Sequence, residues 1–176
     1  MLKKTLIALA LTGGMITFAG CGNKEVAPHE KVTIEQGQIA PKIAVGSNIE
    51  LALTDQFDKA HKIEESTKKV IFVFTKATGH LVKQFFNTQS EDFMEKRDIQ
   101  FIADVSPMPS LILEYAALPD LKKHKYPIML IRDEKIAANF KNEANAEAIM
   151  IINLDKLKVT NVKFVSNIND FQNEIE

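Results

Sequence analysis

Beyond residue 46 the chain alternates short β-branched runs with stretches whose apolar residues recur at helical spacing. Ile49-Glu50-Leu51-Ala52-Leu53 places apolar side chains at every second position, and Thr54-Asp55-Gln56-Phe57-Asp58-Lys59 supplies a turn, which together predict an antiparallel hairpin. Val70-Ile71-Phe72-Val73-Phe74 is continuously apolar, the mark of a strand covered on both faces. Leu81, Val82, Phe85 and Phe86 make one helical stripe and predict a helix starting near Thr78, with that threonine as N-cap. Ser90 is expected to cap a second helical piece carrying Phe93 and Met94 to about Arg97. Residues 99–105 read as a strand, and after Pro107 and Pro109 the residues Leu111, Ile112, Leu113, Tyr115 and Leu118 supply the next apolar helix face. Residues 126–131, 148–154 and 159–165 read as strands, 155–158 as a turn, and 168–175 as a terminal helix. This alternation predicts an α/β domain over residues 47–176, with a mixed central sheet and helices on both faces.

The first twenty residues follow another pattern. Lys3 and Lys4 precede an uncharged, largely apolar run over 5–19 that holds Gly13 and Gly14, the profile of an export signal. A membrane span needs about 20 predominantly apolar residues, so this run is not expected to remain as one. Phe18-Ala19-Gly20-Cys21 resembles the bacterial lipobox, with small side chains before the cysteine and Phe18 where leucine is usual. The resemblance implies a lipoprotein signal peptide over 1–20, diacylglycerol on the Cys21 sulfur, cleavage before Cys21, and acylation of the new amino group by a fatty acid such as palmitate. Residues 21–46 then form the lipid anchor and a tether broken by Pro28, Gly37 and Pro41, with a short strand predicted at 32–34. The implied address is the cell envelope, with the domain facing the periplasm and held to the inner or outer membrane. The covalent lipid at Cys21 is the only attached group expected; no cofactor is predicted.

A length of 176 residues with 45% hydrophobic and 26% charged side chains fits one globular domain. The net charge of -1 argues against a dedicated nucleic-acid binder, which needs an excess of cations. Without residues 1–20 the chain holds 20 basic and 23 acidic residues, a net charge of -3, so the lipid rather than anionic headgroup attraction is expected to do the anchoring. A single cysteine excludes an internal disulfide, a Cys-x-x-Cys pair and a thiolate metal site within one chain, and an acylated Cys21 leaves no thiol at all. His29, His61, His80 and His124 show no metal-binding spacing, so no metal is predicted. Asp92 and Glu95, beside Lys96 and Arg97, read as a solvated charged face. The cluster Lys122-Lys123-His124-Lys125 reads as a helix C-terminus, or as a place for a partner's acidic patch. Neither a serine nucleophile elbow nor a phosphate-binding glycine loop occurs, and no catalytic residue is assigned.

From Asn48 to Glu176 the chain resembles the thioredoxin-like superfamily, in particular its peroxiredoxin-like and cytochrome-maturation-type members. The resemblance is carried by Leu53-Thr54-Asp55-Gln56-Phe57-Asp58-Lys59, by 70–74, by 149–155 and by the element order. It implies a reactive cysteine between the central strand and the next helix, where helix amides stabilise a thiolate. Laid against Cys-x-x-Cys, the two sulfur positions fall near Thr78 and Leu81, which cannot exchange disulfides. The cis-proline of such proteins has no counterpart in Ala146-Glu147-Ala148, although Pro127 lies in an earlier strand segment. Thr75, Lys76, Thr78, Gly79 and His80 remain as a candidate ligand-binding loop for a small anion or carboxylate, with Asp104 at the end of the next strand; the plainer reading makes Thr78 a cap, Lys76 and His80 solvated, and Asp104 a loop cap. The function expected is a membrane-anchored, redox-inactive binding, scaffold or chaperone-type module whose partner is an envelope protein or a small ligand. The alternatives are a ligand-binding or non-thiol enzyme using the 75–80 loop, and an accessory partner of an envelope thiol-redox system.

Overall fold

The computed structural model describes residues 31–33 and 43–176. The strands are β1 (Lys31–Thr33), β2 (Glu50–Asp55), β3 (Ala60–Lys62), β4 (Lys69–Val73), β5 (Ile99–Asp104), β6 (Met129–Ile131), β7 (Ile149–Asp155) and β8 (Lys158–Val165). The helices are α1 (Lys76–Asn87), α2 (Phe93–Lys96), α3 (Ser110–Ile112), α4 (Leu118–Leu121), α5 (Glu134–Ala137) and α6 (Ile168–Ile175), with a π-helical turn at Leu113–Ala117 joining α3 to α4. The sheet runs β1-β2-β6-β5-β4-β7-β8, and β3 pairs with β2 beside it. β4, β5 and β6 are mutually parallel, whereas β7 returns antiparallel to β4 and β8 antiparallel to β7.

The continuous apolar run of β4 is explained by its central place, because its side chains alternate between two cores. Ile71 and Val73 join Val82, Phe85 and Phe86 of α1, Phe93 of α2, Leu121 of α4 and Phe171 of α6 on one face. Val70, Phe72 and Phe74 point the other way, toward Leu51 and Leu53 of β2 and toward Ile136 and Phe140. Aromatic contacts tie each layer: Phe85 meets Phe171 edge-on at 5.3 Å between centroids, and Phe72 stacks on Phe140 at 4.5 Å. The first face is therefore covered by helices, and the second by α5 with Phe140 and by Ile43, Ile49 and Ile63 from segments flanking β2 and β3. The β7–β8 hairpin closes through Lys156 and Leu157, both at positive φ, as a two-residue turn matched to strand twist requires.

Four local expectations need correction. α1 begins at Lys76 with Thr75 as N-cap, so Thr78 is the third helical residue and no cap. Thr78 is drawn into the helix because its own hydroxyl serves the cap reciprocally, through contacts with the Thr75 amide and hydroxyl. Ser90 does not cap α2; its hydroxyl donates to Asp92 Oδ1 at 2.6 Å, and Asp92 precedes the helix without a side-chain cap bond. The strand expected over 126–131 shrinks to Met129–Ile131, because Pro127 has no N–H and the polar groups on either side of it are bonded by the Gln56 side chain. The helix after Pro109 widens in its middle, where the Leu118 amide donates to the Leu113 carbonyl ahead of Pro119.

Cys21 and the signal region lie outside the described residues. Within the stretch read as tether, Ile43 is buried in the second core and Lys31–Thr33 pairs antiparallel with β2. Among the described residues no helix is long and apolar enough to cross a membrane.

Candidate functional site

The C-terminal ends of β4 and β5 open into a cleft of about 480 Å³ between α1 and the helical segment running from α3 to α4. Its apolar lining comes from Val73, Phe101, Ala103, Met108 and Ile112, joined by Ala116 and Ala117 of the π-helical turn. Thr75, Lys76, Gly79, His80 and Asp104 also line it, so the fold gathers five of the six candidate ligand-binding residues at one place. Lys83 and Asp120 join them from the next turns of α1 and from α4. The sequence did not single these two out, since their nearness depends on how α4 packs across α1.

Thr78 stands apart. It is buried, its amide donates to Thr75 Oγ1 at 3.3 Å, and its hydroxyl donates to the Thr75 carbonyl at 3.1 Å. This reciprocal cap fixes the start of α1 and occupies Thr78 internally. Gly79 is helical, and a Cβ there would meet nothing nearer than Val73 Cγ2 at 3.6 Å, so the backbone does not demand glycine. Lys76 and His80 are exposed one helical turn apart. His80 Nε2 lies 3.1 Å from the Gln84 amide nitrogen, and among the described residues Lys76 forms no ion pair.

The two carboxylates of the cleft are both committed. Asp104 has a fully buried side chain; Oδ2 pairs with Lys141, while Oδ1 accepts from the Ser106 amide at 3.0 Å and the Ser106 hydroxyl at 2.6 Å. It therefore caps the loop after β5. Asp120 accepts from Lys83 at 3.1 Å and from Lys123 at 3.3 Å, and these bonds hold its carboxyl below the usual aspartate range. Neither group is free to act as a general base. Among the described residues the cleft carries no thiol; the single cysteine of the chain is Cys21.

A second concavity lies at the other end of α1, where Asn87, Glu91, Lys123, His124, Lys125 and Tyr126 meet. His124 Nδ1 is 2.9 Å from Asn87 Oδ1, and burial followed by the neighbouring Lys83 charge pushes the imidazole below its ordinary pKa. Of the basic cluster, Lys123 pairs with Asp120 and Lys125 with Glu91. Among the described residues no group of three or more His, Cys, Asp or Glu is placed to hold a metal ion.

Two buried polar residues that carry no chemistry explain the run at 53–59. Asp55 Oδ1 accepts from the amides of Phe57 at 2.7 Å and Lys59 at 3.0 Å, and Oδ2 meets His61 Nε2 at 2.8 Å. Gln56 is fully buried; its Nε2 donates to the Tyr126 carbonyl at 2.9 Å, and its Oε1 accepts from the Ile128 amide at 2.8 Å. The side chain thus takes the rung that the backbone around Pro127 cannot supply. This places Ile128 on the cleft side of the sheet.

No protein-family model matches the chain, and no curated protein matches it by sequence. Solved structures do. A thioredoxin candidate from Neisseria meningitidis superposes with a TM-score of 0.51 at 12% identity, over 75% of this chain and 89% of that one. StoA from Bacillus subtilis superposes with a TM-score of 0.51 at 10% identity, over 72% of this chain and 96% of that one. The chain therefore has a thioredoxin-like fold, as the element order and the 53–59 run imply.

Proposed function

We propose that the chain is a lipid-anchored protein of the cell envelope whose thioredoxin-like domain has lost thiol exchange and serves as a binding module, of scaffold or chaperone type. The observation that carries this reading is the cleft itself. At the start of the helix after the central strand, where the superfamily resemblance implies cysteines, it carries Thr75, Lys76, Gly79 and His80 above an apolar floor. Leu111, Ile112 and Tyr115 beside it are 68%, 54% and 78% exposed, far more than such side chains need. These exposed residues favour non-covalent capture of an apolar surface over catalysis, and the two committed carboxylates weigh against a non-thiol enzyme.

Anchoring and address rest on the lipobox at Phe18-Ala19-Gly20-Cys21. The test places a photo-cross-linking residue at Tyr115 of the full chain in intact cell envelopes. A reproducible partner, lost in Leu111→Glu, is expected. Cys21→Ser is expected to release the protein from membranes. Disulfide reduction by the full chain, at a rate above that of free dithiol in the assay, would contradict the redox-inactive reading.

A further inference from the structure

Resting on that reading of the cleft as a binding site, we propose that its ligand is a single-chain alkyl carboxylate, with the alkyl chain on the apolar floor and the carboxylate at Lys76. The volume of about 480 Å³ falls within the range of roughly 300–1,000 Å³ that suits small ligands. The lining by Val73, Phe101, Ala103, Met108, Ile112 and Ala116 offers no side-chain hydrogen-bonding group along the floor. Ile112, although it lines the cleft, is 54% exposed and gains most from being covered.

The sheet topology selects an alkyl chain over a peptide. The strands beneath the cleft are interior ones: β4 lies between β5 and β7, and β5 between β4 and β6. Their backbone groups are already paired, so an extended peptide laid on this floor would lose water from its N–H and C=O groups and gain no partner. An alkyl chain carries no such groups and suffers no such loss.

Charge selects the head group. Asp104 pairs with Lys141, and Asp120 with both Lys83 and Lys123, so the lining carries no free carboxylate and Lys76 is its lysine without an ion pair among the described residues. An ammonium head would meet that lysine unfavourably, and an uncharged hydroxyl head would accept a hydrogen bond from it but lack the ion pair. The wall opposite α1 can also adjust, since neither α3 nor the π-helical turn contributes a fully buried side chain.

The test introduces Ala116→Cys into the full chain reconstituted in phospholipid vesicles and follows maleimide labelling at residue 116 by mass spectrometry of the peptide that contains it. Dodecanoate is expected to slow this labelling, with dodecan-1-ol at the same membrane concentration about fivefold less effective, the worth of one partly exposed ion pair. Lys76→Ala should bring dodecanoate down to the level of the alcohol, and Lys76→Arg should restore it. Equal protection by acid and alcohol, indifference to Lys76→Ala, or protection by neither compound overturns the proposal. A partner still cross-linked at Tyr115 without any protection by dodecanoate removes this ligand class and leaves the binding-module reading standing. Protection with no cross-linked partner keeps the ligand and the cleft as its binding site, and removes the scaffold or chaperone role.

Discussion

Replacing Gln56 with alanine removes both bonds that hold the segment before β6. The Tyr126 carbonyl and the Ile128 amide lose the Gln56 partner in a segment where Tyr126 and Ile128 are both buried. Each unsatisfied buried group costs about 1–3 kcal/mol, so the pair should cost about 2–6 kcal/mol, a large part of the 5–15 kcal/mol typical of a whole domain. For a body of this size that corresponds to a fall in Tm of roughly 10 °C or more. Gln56→Leu should do no better, since it fills the space and still abandons both backbone groups. Gln56→Glu retains the acceptor toward Ile128 but turns a carboxylate on the Tyr126 carbonyl; its loss should shrink on mild acidification, as a buried carboxyl takes up a proton and becomes a donor. The chain has no tryptophan, so urea unfolding is best followed by far-ultraviolet circular dichroism. If Gln56→Ala and Gln56→Leu both stay within about 0.5 kcal/mol of wild type at unchanged m, the side chain is no substitute rung and the account of β6 is wrong.

Two further outcomes test the local architecture. Burial works to raise the Asp55 carboxyl, but the bonds from His61 and from the Phe57 and Lys59 amides outweigh it and bring it below the ordinary value of 3.8. A lowered folded pKa means stability that is complete above 3.8 and lost as pH falls through the folded value, so Asp55→Asn should weaken the protein at neutral pH and flatten its acid-unfolding limb below 3.8; an unaltered limb in urea midpoints taken across pH would refute this. At the start of α1, Thr75→Ala should cost about 1 kcal/mol and Thr75→Ser almost nothing, whereas Gly79→Ala should stabilise by about 0.5–1 kcal/mol because the position is helical and open; thermal melts that reverse either sign would count against the capping geometry.

The sheet was legible because its signals are local. The β4 run, the alternation at 49–53 and the stripe of Leu81, Val82, Phe85 and Phe86 each report burial directly, and the structure buries all of them except Glu50 and the partly covered Ala52 and Leu81. Boundaries were harder where side chains compete with backbone. Thr75 and Thr78 are both good caps in sequence, and only the reciprocal bond between them decides which one stands outside the helix. Pro127 looked compatible with a strand start, but the strand retreats to Met129 because Gln56, seventy-two residues from Ile128, supplies the missing bonds. The candidate loop at 75–80 could be located from the superfamily resemblance. Lys83, Asp120 and the π-helical wall could not, since their roles follow from the packing of α4 on α1 and from a helix widened ahead of Pro119.

β1 is an edge strand of the sheet, separated by β2 and β6 from β5 and β4, whose C-terminal ends open into the cleft. Nine residues lie between Cys21 and Lys31, so the ten steps of chain joining them can reach no more than about 35 Å when drawn taut. A molecule fastened at Cys21 on so short a lead would bring its β1 edge to the bilayer first, with the cleft set back from that edge by the width of two strands.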